Sequence, residues 1–158
     1  ENQQYINKVI YPDDNLVFIN GWQQGPGIVP PTSIIRFNLA TKEEKVLLQS
    51  EDEILTFETF MPDKKHIVFM KQSSDFSTEG LYIAEMDNVE QTMKKILDKA
   101  YIYEFKDGLT FVFYRYYKND KDEWTEEVYL TDINGSTPVK LYTSPISGPG
   151  HQFIGWFK

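Results

Sequence analysis

Two residues offer imidazole chemistry in this sequence, His66 and His151, and they stand far apart along the chain. His66 adjoins the turn Met61-Pro62-Asp63-Lys64-Lys65, and His151 follows Gly148-Pro149-Gly150. No serine lies in the Gly-x-Ser-x-Gly pattern that would raise a nucleophile toward such a base, so a hydrolytic triad has no local support. Both histidines read as turn or surface residues. The absence of cysteine removes thiolate nucleophiles, disulfides and cysteine-ligated zinc or iron–sulfur sites. The stretch Asn119-Asp120-Lys121-Asp122-Glu123, with Glu126 and Glu127 beyond it, sets out oxygen ligands as a calcium loop does. It lacks the glycine that bends an EF-hand loop and reads instead as a charged, solvated hairpin tip. No catalytic residue, metal ligand or cofactor is assigned.

Binding chemistry is better represented, because aromatic residues make up 15% of the chain. The loop from Gly21 to Thr32 carries Trp22, Ile28 and Val29 among glycines and prolines that forbid continued strand pairing. A loop of this kind on a rigid scaffold is a place for a binding anchor, and Trp is a frequent one. The plainer alternative is that the three residues cap an exposed sheet face. Tyr116, Tyr117 and Trp124 form a second aromatic set suited to a sugar or a peptide.

The rest of the composition narrows the partners. A net charge of −8, with arginine only at positions 36 and 115, argues against nucleic acid and anionic membranes, which require clustered cations. No apolar run reaches membrane-spanning length, and the opening Glu1-Asn2-Gln3-Gln4 is not a signal peptide. Such a beginning reads as a mature N-terminus or a trimmed segment. Alanine occurs only at 40, 84 and 100, whereas Phe, Tyr and β-branched residues abound, so strands are expected.

The elements that would carry these residues emerge on comparing the sequence with itself. Leu16-Val17-Phe18-Ile19 recurs as Ile67-Val68-Phe69-Met70 and as Phe111-Val112-Phe113-Tyr114, each after a turn built on Asp13, Asp63 or Asp107. A further strand follows each time and ends at Leu39, Met86 and Ile133, 47 residues apart. Opening strands (Tyr5 to Ile10, Ile54 to Met61, Tyr101 to Phe105) and short closing strands (Lys45 to Leu48, Lys95 to Leu97, Val139 to Tyr142) complete three four-stranded units. The units span about 5–49, 54–98 and 101–143 of a single all-β domain, with a leftover strand at 152–157. Val89, Met93, Ile96, Leu97 and Ala100 fall at helical spacing, so 89–100 stays open between helix and strand.

The strands are apolar on both faces, so the sheets must be layered against one another. The expected architecture is three antiparallel meanders stacked as a partial β-propeller; a β-sandwich is the alternative. Closed propellers have about four to eight blades. Three would leave end faces to be covered by the 21–32 loop, by strand 152–157 or by a partner, a homodimer completing a six-bladed ring being one version.

The run from Met61 to Met70, followed by Gly80-Leu81-Tyr82-Ile83-Ala84-Glu85-Met86-Asp87, resembles the repeat of TolB-like β-propellers. That repeat joins a Pro-Asp-Gly turn to an apolar strand and then a Leu-Tyr strand ending at Asp or Asn. The first unit departs from it with Ile34-Ile35 for Leu-Tyr, and the third with Lys106 for Pro. The resemblance implies a propeller whose relatives include binding scaffolds and propeller domains joined to peptidases; no catalytic residue carries over. The expectation is a non-enzymatic, extracytoplasmic bacterial binding module for protein or carbohydrate. A hydrolase, or the propeller part of a larger hydrolytic enzyme, is the alternative.

Overall fold

The computed structural model describes residues 9–13, 16–21, 32–75, 77 and 79–145, with the backbone alone before residue 32. Among these residues there are twelve strands: β1 (Val9–Asp13), β2 (Leu16–Gly21), β3 (Ser33–Asn38), β4 (Glu44–Gln49), β5 (Glu53–Phe60), β6 (His66–Ser73), β7 (Glu79–Glu85), β8 (Lys94–Asp98), β9 (Tyr101–Phe105), β10 (Thr110–Lys118), β11 (Trp124–Asp132) and β12 (Val139–Pro145). One helical turn, α1 (Val89–Thr92), precedes β8. They form three four-stranded sheets in sequence order, β1–β4, β5–β8 and β9–β12, and every pairing is antiparallel. The fold is all-β, three meanders of the partial β-propeller class. By compactness the chain divides at Asp98, with the first two sheets in one unit and the third in another.

The registers reveal the repeat in detail. Ile34, Leu81 and Val128, 47 residues apart, are each fully buried and pair with Leu48, Leu97 and Tyr142. The next pairs, Ile35 with Val46, Tyr82 with Lys95 and Tyr129 with Lys140, leave Leu47, Ile96 and Leu141 as single extra residues. Each last strand therefore bulges at the same place. The first strands of the second and third sheets also bulge at matching positions, with Glu58 and Tyr103 extra. The second strand of the first unit shifts by one residue from the sequence alignment. Ile19, not Phe18, holds the place of Phe69 and Phe113, because Ile19 pairs with Ile35 as Phe69 does with Tyr82 and Phe113 with Tyr129.

Turns follow side-chain chemistry. The Asp63 Oδ1 accepts from the amides of Lys65 and His66 at 2.8 and 3.1 Å, and the Asp107 Oδ1 from those of Leu109 and Thr110 at 2.8 and 2.7 Å. Between third and fourth strands, Asn38 accepts from Ala40 and Thr41, and Asp132 from Asn134 and Ser136. The equivalent residue of the second sheet is Glu85, whose extra methylene does not suit this short loop. There the chain makes α1 instead, and the Glu85 amide donates to Thr92 Oγ1 at 2.9 Å. The helical spacing at 89–100 thus resolves into one helical turn followed by a strand.

Within the first unit, Ile34, Leu47 and Leu48 of the first sheet cluster with Leu55, Phe57, Ile67, Phe69 and Ala84 of the second and with Val89 of α1. Full burial of each large member removes about 1.5–3 kcal/mol of apolar exposure. Both faces of β6 are covered, since Ile67, Val68 and Phe69 are all fully buried. The first strand's expected start at Tyr5 and the strand 152–157 lie outside the described residues.

Candidate functional site

Of the aromatic residues singled out above, Trp22, Ile28 and Val29 lie outside the described residues. Tyr116, Tyr117 and Trp124 are described and exposed, at 45%, 36% and 54%. They sit at one end of the β10–β11 hairpin, where Tyr116 pairs with Glu126, Tyr117 with Thr125 and Lys118 with Trp124. Because side chains alternate across a strand, Tyr116 and Trp124 share one face while Tyr117 belongs to the other. The trio is divided between two surfaces.

The hairpin tip is closed by its own polar groups. Asn119 Oδ1 accepts from the amides of Lys121 and Glu123 at 2.9 and 3.0 Å, and Asp122 takes the left-handed conformation at φ 60°. Lys118 Nζ reaches Asp122 Oδ1 at 2.6 Å and lies 5.7 Å from the Trp124 ring centre. The acids of this stretch thus help to shape a turn.

On the face of Tyr116 and Trp124, tyrosines gather around a carboxylate. Tyr101 and Tyr114 stack at 5.2 Å, Tyr103 and Tyr114 meet at 4.3 Å, and Tyr114 and Tyr116 pack edge to face at 5.2 Å. Tyr103 is the extra residue of the β9 bulge, and its hydroxyl donates to Glu126 Oε1 at 3.0 Å. Glu126 is only 7% exposed. Burial raises the hydroxyl pKa of Tyr103, Tyr116 and Tyr142, and the negative charge of Glu126 raises each further. Among the described residues no lysine, arginine or histidine pairs with Glu126, although a buried carboxylate is costly without a cation.

The repeat places a second acid in the same position. Glu79 precedes Glu126 by 47 residues and pairs with Gln72 as Glu126 pairs with Tyr116. Its Oε1 is buried without a hydrogen-bond partner among the described residues. Sequence reasoning missed both glutamates as a set; applying the 47-residue spacing to acidic residues would have found them. On the opposite face of the third sheet, Arg115 lies over the Phe113 and Tyr129 rings at 5.2 and 5.8 Å, and its Nε is buried without a partner among the described residues. Glu127, across from Arg115, is instead held by Lys140 at 2.5 Å and by the Tyr129 hydroxyl.

His66 Nδ1 lies 2.5 Å from Asp63 Oδ2, an imidazole–carboxylate pair inside a turn. Among the described residues no hydroxyl reaches the ring, and the pair fixes the turn. A polar recess of about 470 Å³ in the first unit is lined by Arg36, Asn38, Glu43, Glu44 and Lys45. Arg36 is occupied there by Asp87 at 3.0 Å.

No protein-family model matches the sequence, and no curated protein matches it. Among solved structures the chain is similar to an acylaminoacyl peptidase in complex with Z-Gly-Gly-Phe-chloromethyl ketone, at 16% identity and a TM-score of 0.67 over 91% of this chain. It is similar to the Pyrococcus horikoshii acylaminoacyl peptidase at 17% identity and a TM-score of 0.67 over 95%. The chain spans about a quarter of those structures, 26% and 27% of their lengths. The N-terminal part of these peptidases is a β-propeller, and at such identities the likeness establishes the fold.

Proposed function

We propose that this chain is a non-catalytic propeller segment that works by binding, through the aromatic face of its third sheet. The observation that carries the reading is the group of tyrosines around buried Glu126, with Tyr116 and Trp124 exposed beside it. Stacked, hydroxyl-bearing rings at a sheet end suit a peptide or a sugar ring, since each presents an apolar plane with a polar edge. The Pro-Asp turn and the Leu81-Tyr82 strand support a TolB-like, extracytoplasmic module of this kind. The test is binding of the chain to peptide and glycan arrays, repeated with a Tyr116→Ala/Trp124→Ala double variant. Affinity for any ligand found should fall at least about tenfold, or 1.4 kcal/mol. Unchanged binding by the double variant would remove this surface from the function.

A second reading is favoured by the fold comparison: the segment is the propeller part of a hydrolytic enzyme. Two acylaminoacyl peptidases share its fold along nearly its whole length. This reading predicts that the segment alone leaves an acyl-alanine p-nitroanilide intact while the full-length protein hydrolyses it. A full-length protein inert toward acylated and free peptide substrates would end it.

A further inference from the structure

The binding reading leaves open what kind of group the third sheet selects, and the repeat supplies an answer. Glu79 and Glu126 occupy the same register position on the third strand of successive sheets, across from Gln72 and Tyr116. Glu79 has a buried carboxylate oxygen without a hydrogen-bond donor, and Glu126 is 93% buried on its 7% exposure with a tyrosine hydroxyl as donor. Neither has a cationic partner among the described residues. The chain pairs acids elsewhere, as in Lys71 with Glu53, Arg36 with Asp87 and Lys140 with Glu127. A buried carboxylate without a counter-charge is a standing demand for a cation.

Around Glu126 the surface has the chemistry that accepts an organic cation. Tyrosine and tryptophan rings present negative faces to an ammonium group. The hairpin already displays the contact, with Lys118 Nζ over Trp124. Tyr116, directly across from Glu126, and Trp124, two residues before it on the same strand, are the exposed aromatic members of the face. A hard metal ion fits less well: among the described residues no three acidic or histidine side chains come together to hold one.

We infer that Glu126, with Tyr116 and Trp124, forms a recognition site for an ammonium group, such as a lysine side chain, a peptide N-terminus or an amino sugar. Glu79 marks the same acidic position in the preceding repeat. This inference rests on the binding reading above. Its test follows the Trp124 indole NH by NMR, assigned with a Trp124→Phe variant. The chain is titrated with n-butylammonium, then with 1-butanol, maltotriose and calcium. Butylammonium should shift the signal saturably in the millimolar range, and Glu126→Gln, which keeps an acceptor for Tyr103, should weaken binding at least about tenfold. Should Glu126→Gln lose its signal dispersion, the exposed Trp124→Leu substitution, followed through the Tyr116 ring signals, should weaken binding about threefold to fivefold. Equal response to butanol or maltotriose in wild type and Glu126→Gln would overturn the ammonium assignment and leave the binding reading standing. A response to calcium alone would replace the ammonium with a metal ion. No response to any probe would overturn the inference, while the reading beneath it stands or falls on the array binding of the double variant.

Discussion

The second and third sheets are built on one template and use it differently. Both are four-stranded meanders, both bulge at matching places in the first and last strands, and both bury a Phe at the same register position, Phe69 and Phe113. In the second sheet that position joins an aliphatic and phenylalanine cluster, and Lys71 and Lys95 are paired with Glu53 and Asp98. On its other face the third sheet carries Tyr101, Tyr103, Tyr114 and Tyr116 where the second has Thr56, Glu58, Met70 and Gln72, and among the described residues buried Glu126 has no cation and the Arg115 Nε no acceptor. Leu55 and Phe57 have no need of partners beyond close packing, whereas each phenol must keep its hydroxyl hydrogen-bonded. A shared backbone thus supports one sheet specialised for packing and another carrying polar groups that suit recognition.

The largest test of this contrast is Phe69→Ala. Phe69 is fully buried and stacks on Tyr82 at 5.8 Å, so the substitution should cost about 3–5 kcal/mol. Urea unfolding followed by circular dichroism would measure it, and a loss under about 1.5 kcal/mol would show that the second sheet is not organised around this cluster.

Tyr103→Phe probes the third sheet. It removes the donor to buried Glu126 and should cost about 1–3 kcal/mol. The same sheet should be the more sensitive to alkali. Tyr103, Tyr116, Tyr129 and Tyr142 all have raised pKa values, chiefly through burial. The folded state therefore favours the neutral phenols; the stabilisation is full below the unfolded value near 10 and is lost as pH rises through the folded values. Hydrogen exchange in β9–β12 should accelerate above pH 10 before exchange in β5–β8 does, and the reverse order would contradict the assignment.

Gly135 stands at φ +84° with open space around its α-carbon. Gly135→Ala should destabilise the third sheet by about 1 kcal/mol through backbone conformation alone, readable as a small fall in Tm. Smaller still is the acid response of the turns. The hydroxyl of Ser73, then the amide and hydroxyl of Ser77, hold Asp75 down to about 2. The amides of Leu109 and Thr110 hold Asp107 below the usual carboxylate range. Their contribution is present above the unfolded value near 3.8 and fades as pH falls through the folded values. These carboxylates face water, so screening keeps the effect slight; an acid titration of Asp107→Asn should nearly overlay that of the parent.

Much of this was legible in the residues. The turn aspartates, the 47-residue spacing and the two-faced strands led to three meanders, because turn chemistry and side-chain alternation are local. The register of the first sheet differs by one residue from the alignment of its apolar run with the other two. Apolar neighbours such as Phe18 and Ile19 are interchangeable by composition, and only the pairing of Ile19 with Ile35 distinguishes them. The short helix was ambiguous because its apolar spacing continues into a strand. Tyr116 and Trp124 were visible as exposed aromatics, but their separation from Tyr117 depends on strand register.

The sequence by itself determined the all-β class, the repeat length, the turns and the exclusion of cysteine chemistry, since these follow from residue type and short-range spacing. Tertiary structure decided which acids are buried. Glu126 and Glu127 are adjacent and chemically identical, yet one is ringed by tyrosines and the other is paired with Lys140. Strand alternation sends them to opposite faces, where the Tyr103 hydroxyl meets Glu126 while Lys140 and the Tyr129 hydroxyl hold Glu127.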